Sequence, residues 1–139
     1  MRIVKIILDT NVLYSGLYSS LGASYKILRA IEEKTVKIVI STTLLFEYED
    51  VLKRKQADLG IGNQDIENIL DNLCDLSEFQ KIYFLWRPCL QNHKDDHVLE
   101  VAIASQTNTI MTHNIKDFKN IDTFGIRAIT PKDLLKEIQ

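Results

Sequence analysis

The stretch Ile3-Val4-Lys5-Ile6-Ile7-Leu8-Asp9-Thr10-Asn11 decides how this chain folds. Its apolar, β-branched run predicts a buried strand, and the run stops on a carboxylate. Asp9 then stands at the carboxyl end of the first strand, where open α/β sheets hold their ligands. A carboxylate at that point suits a cation better than a core. Taken alone, an aspartate after a strand is as readily a turn or helix-cap residue. Other acids reaching the same edge would separate the two roles.

Working outward, the pattern alternates between strand and helix. Residues 2–9 are the first strand. Ala23 to Glu33 carries Ile27, Leu28 and Ile31 at helical spacing, and residues 36–41 read as a second strand. A helix then runs through Leu44, Leu45, Tyr48, Val51 and Leu52. Asn63 reads as the cap of another, with Ile66, Ile69, Leu70 and Leu73 on its apolar face. The aromatic run 82–86 reads as a third strand, Asp96 to Ser105 as a helix, and 109–112 and 126–129 as strands. Thr130, Pro131 and Asp133 mark the start of the last helix. The expected fold class is α/β: a single-domain α/β/α sandwich over residues 1–139 around a central, mainly parallel sheet.

Composition narrows the field. With 139 residues, 45% hydrophobic and 26% charged, the chain resembles an ordinary globular domain. No apolar run approaches the roughly 20 residues of a membrane span. The first residues lack a secretion signal, so the expected compartment is the cytoplasm, without a membrane partner. Cys74 and Cys89 lack metal or redox spacing and read as reduced thiols. A net charge of −2 creates no global attraction to nucleic acid. The Lys53-Arg54-Lys55 cluster reads as a solvated helix face rather than a phosphate-contacting patch.

Four acidic positions fall where this layout brings strand ends together. Asp9 ends the first strand, and Glu47 lies one turn into the helix after the second. Asp96, with Asp95 as a candidate cap before it, opens a helix near the same edge. Asp117 follows the 109–112 strand. Hard divalent cations such as Mg²⁺ or Mn²⁺ take oxygen ligands of this kind. One or two such ions would relieve the carboxylates' mutual repulsion, activate water and stabilise charge on a phosphoryl group.

This assembly resembles the PIN domain, a nuclease fold similar to the core of structure-specific 5′ nucleases. The resemblance rests on Leu8-Asp9-Thr10-Asn11-Val12, on Glu47 after Ser41-Thr42-Thr43, on Asp95-Asp96-His97-Val98-Leu99-Glu100-Val101-Ala102, and on Thr112-His113-Asn114-Ile115-Lys116-Asp117-Phe118. It spans Ile3 to about Ile129 and is especially close to bacterial toxins of toxin–antitoxin pairs. It implies that Asp9, Glu47 and Asp96 are metal-binding acids. Many relatives have Asp where this chain has Asn114, so Asn114 would offer a neutral oxygen and Asp117 the charge. Thr10, Asn11 and Thr112 would orient the carboxylates. The resemblance further implies Mg²⁺ or Mn²⁺ as cofactor, single-stranded RNA as substrate, a cognate antitoxin as partner, and a homodimer.

Other chemistries fit less well. His93, His97 and His113 suggest zinc, yet no third nitrogen or sulfur ligand stands at usable spacing. His97 or His113 would rather touch phosphate. A phosphatase with Asp9 as nucleophile would need an acid two residues on, where Asn11 stands. A weakly active PIN-like module that binds RNA or oligomerises remains the alternative from a different class. The aromatics at 83, 84 and 86 read as core.

Overall fold

The apolar run near the start forms β1 (Val4–Leu8), whose Ile6, Ile7 and Leu8 have no exposed surface. Burial on both faces marks an interior strand of a parallel sheet. The computed structural model describes residues 3–82, 96–119 and 121–138. After β1 come α1 (Thr10–Tyr18), α2 (Ala23–Glu32), β2 (Val36–Ile40), α3 (Thr42–Arg54), the single turn α4 (Gln56–Leu59) and α5 (Asn63–Leu76). They are followed by β3 (Ser77–Phe79), α6 (Asp96–Ser105), β4 (Thr109–Met111), two 3₁₀ turns (Ile115–Phe118 and Ile121–Phe124), β5 (Arg127–Ile129) and α7 (Pro131–Ile138).

Among the described residues the five strands are all parallel, in the order β3-β2-β1-β4-β5. The sheet grows from β1 toward β2 and β3, then restarts on the other side with β4. The chain order therefore reverses between β1 and β4, and the carboxyl end of that boundary is where such sheets open a crevice. Register fixes what meets there: Leu8 pairs with Met111, so Asp9 and Thr112 leave the sheet side by side. Helices flank the sheet, and α6 packs against β1, β2 and β4.

The α/β expectation holds, and most elements fall within a residue or two of their sequence reading. Three details differ. Helix α1 was not anticipated; Asp9 caps it, its Oδ1 accepting the Thr10 N–H at 2.9 Å. Among the described residues the third strand is Ser77–Phe79, and the stretch read as a strand at 82–86 is described only at its first residue. Ile82 lies outside any strand, and 83–86 fall outside the described residues, as does Cys89. The cap of α5 is Gly62, one residue before Asn63, with the Asp65 carboxylate accepting the Gly62 N–H at 2.9 Å.

Helices α1 and α2 meet at Gly16. A Cβ there would lie 2.5 Å from Leu28 Cδ1 and 3.0 Å from the Ser24 carbonyl oxygen. The leucine can turn aside, but the carbonyl belongs to the helix backbone. Gly16→Val should therefore lower stability by about 1–3 kcal/mol through overpacking. Urea unfolding of the variant against the parent checks it, and an unchanged midpoint would contradict this packing.

Candidate active site

Asp9 is 6% exposed, and its carboxylate is held on all sides. Oδ1 accepts the Thr10 backbone N–H. Oδ2 accepts the Thr112 hydroxyl at 2.7 Å and the Asn11 Nδ2 at 3.4 Å. The bonds then pass outward. Thr112 Oγ1 accepts from Asn11 Nδ2 at 3.3 Å and from the Asn114 N–H at 3.0 Å, and Asn11 Oδ1 accepts the His113 N–H at 3.2 Å. Thr112, fully buried, thus lies between two strand ends 103 residues apart in sequence. Thr10 contributes to Asp9 through its backbone rather than its hydroxyl.

Burial raises the Asp9 pKa. The bonds from Thr112 and Thr10 and the charge of His97 oppose the rise, while the charge of Asp117 adds to it. Asp117 therefore acts on Asp9 through space. It stands in the 3₁₀ turn after β4, which Phe118 pins to the core, and its N–H donates to the Asn114 carbonyl at 3.0 Å.

Glu47 lies half-buried on α3. Its neighbour Tyr48 is fully buried and donates its hydroxyl to the Leu8 carbonyl at 2.6 Å, tying this turn of α3 to the end of β1. Burial, with the Asp9 charge adding, drives the Tyr48 pKa far up, so the phenol keeps its proton. Asp96 is the first residue of α6, and its side chain lies outside the described residues, as do Asp95 and His93. Among the described residues no three acids, histidines or cysteines form a ready metal cage. The donors around Asp9 are nevertheless hard oxygens under mutual repulsion. They fit Mg²⁺ or Mn²⁺, ions often bound by one or two carboxylates that keep several waters.

Two residues gain importance that sequence reading did not give them. Tyr48 passed as an ordinary core position. Glu100, in the second turn of α6, is only 2% exposed. A charged residue inside Val98-Leu99-Glu100-Val101-Ala102 was the signal available. A larger cleft of about 550 Å³ lies at the opposite end of the strands. There Arg127 forms two 2.8 Å bonds to Glu137, away from the acids.

A parallel α/β sheet with a buried, hydrogen-bonded aspartate at its strand-order reversal defines a class of carboxylate-centred α/β proteins. Within it, a family model described as a PIN domain matches residues 5–116, and the chain belongs to that family, one of nucleases that in general depend on divalent metal. The chain is also similar to a solved structure described as VapBC2 from Rickettsia felis bound to a DNA fragment from their promoter. That similarity has a TM-score of 0.63 and 18% identity, covering 91% of this chain and 98% of the other, and it is a likeness of fold. No curated protein matches the sequence.

The raised Asp9 pKa has a measurable consequence. The folded state holds this proton more tightly than the unfolded chain, so stability falls as pH rises from the ordinary value of 3.8 through the raised one. In chelator, Asp9→Asn should gain stability relative to the parent as pH rises above 3.8, read as a growing Tm difference in the variant's favour. A difference that stays flat with pH would show an ordinary carboxyl.

Proposed function

We propose that the protein is a metal-dependent endoribonuclease that hydrolyses phosphodiester bonds of single-stranded RNA, acting as the toxin of a toxin–antitoxin pair. The observation that carries this reading is the buried Asp9 carboxylate, held by Thr112 and Asn11 at the β1–β4 boundary with Asp117 close by. Asp9, Glu47, Asp96 and Asp117 would hold Mg²⁺ or Mn²⁺, with Asn114 as a neutral donor beside them. Such an ion, when bound, neutralises phosphoryl charge and acidifies water.

The chain's own groups prepare the site. Thr112 and Asn11 fix the Asp9 oxygens before substrate arrives, so little reorganisation remains at the moment of reaction. His97, on the first turn of α6, brings positive charge toward Asp9 when protonated. Water attacks phosphorus in line with the departing 3′ oxygen, leaving a 5′-phosphate and a 3′-hydroxyl. The aspartyl-phosphatase alternative loses further ground. Asn11, in the position of the required acid, is engaged with Asp9, Thr112 and His113.

On the same reading, residues 1–139 make one domain that works in the cytoplasm as a homodimer, with a small antitoxin covering the acidic cleft. The similar structure, described as VapBC2, motivates the antitoxin. Among the described residues no helix is long and apolar enough to cross a membrane.

End-labelled single-stranded RNA with Mg²⁺ or Mn²⁺ tests the activity. Asp9→Asn should reduce cleavage about 10²-fold or more, Thr112→Val about 10–100-fold, and chelation should stop it. Cleavage that survives both chelation and Asp9→Asn would rule the mechanism out. No cleavage, together with no divalent binding by calorimetry at millimolar concentration, would favour the RNA-binding module.

A further inference from the structure

Where residues of α1, α2 and α7 come together with His113 lies a cleft of about 330 Å³. That is within the range of small-ligand sites, about 300–1,000 Å³. Tyr14 and Tyr18 line it, their ring centroids 5.6 Å apart and tilted by 31°. Tyr18 is 61% exposed, so its ring is open to a ligand in the cleft. Lys55 Nζ sits 5.7 Å from the Tyr14 centroid, while its neighbours Lys53 and Arg54 pair with Glu49 and Asp50 on the solvated face of α3. Lys132, in the first turn of α7, is the lysine that lines the cleft.

Hydrogen bonds link the cleft to the acid site. His113 lines the cleft, its ring nitrogen 2.9 Å from Ser24 Oγ, while its backbone N–H donates to Asn11. Asn11 in turn reaches Asp9. No lining residue carries a carboxylate. A strand of phosphates meeting the carboxylates around Asp9 needs attraction nearby to stay bound, and an aromatic ledge with Lys132 at its edge provides it. The amino ends of α2 and α7 also face this rim and favour negative charge.

We propose that this cleft is a nucleotide subsite for single-stranded RNA, stacking a base adjacent to the scissile phosphate on Tyr18 and pairing its phosphate with Lys132. It rests on the ribonuclease reading and adds the position of the flanking nucleotide. Protein segments prize exposed apolar rings too, and Leu21 lies nearby in sequence at 91% exposure. Lys132, the lining hydroxyls and the His113–Asn11–Asp9 link favour a nucleic acid.

The test uses the full chain carrying Asp9→Asn, which keeps RNA uncut, with a fluorescein-labelled single-stranded RNA and anisotropy as the readout. Adding Tyr18→Ala should weaken binding about tenfold, while Tyr18→Phe retains it, since the ring and not the hydroxyl stacks. Lys132→Gln should weaken binding and lower the salt slope by about one. Thermal unfolding of each variant should match the parent, given how exposed these side chains are. Cleavage of the same RNA by the protein with Asp9 intact is measured in parallel. If that protein cleaves and Tyr18→Ala binds within about twofold of its Asp9→Asn parent, the subsite falls alone, as it would if the cleft served a protein segment. If RNA is neither bound nor cut, both readings fall together.

Discussion

Everything at the candidate site hangs on the hydrogen bond from the Thr112 hydroxyl to Asp9. It joins the ends of two strands that meet where the sheet changes direction, and it does so inside the protein. A hydroxyl donating to an ionised carboxylate in a buried setting is among the stronger bonds a neutral side chain can make. It opposes, without cancelling, the cost of taking the Asp9 charge out of water. The same hydroxyl accepts from Asn11 and Asn114, so one atom organises the first strand, the first helix and the loop after β4.

This arrangement explains why the acids sit on a structure that could easily do without them. Asp9 caps α1 and also feels the charge of Asp117, and the two roles do not compete. Capping uses Oδ1, leaving Oδ2 to the Thr112–Asn11 network. A cation at such a point would be drawn by charge the fold has already gathered. Tyr48 adds a second brace by bonding the Leu8 carbonyl from α3, so helix and strand cannot slide independently.

Much of this was legible in the residues, and the exceptions have physical causes. The run Ile6-Ile7-Leu8 ending on Asp9 announced an interior strand because burial on both faces demands unbroken apolarity. The edge strand Ser77-Glu78-Phe79 gave no such signal. Its side chains are partly or fully exposed, and pairing to the β2 backbone alone makes it a strand. Helix α1 hid because Gly16 is a poor helix former, and its reason for being there, close contact with α2, is tertiary. At the site, Asp9, Asn11 and Thr112 could be named in advance. Tyr48 could not, since a buried tyrosine is ordinary until its hydroxyl partner is known.

The wide separation of β1 and β4 along the chain also bears on biosynthesis. Domains form as the polypeptide leaves the ribosome, amino end first, and β1 can pair with β2 early. Its other neighbour comes a hundred residues later. Until β4 has left the ribosome, Asp9 lacks its Thr112 partner, and a fragment ending before β4 would have no Asp9–Thr112 bond.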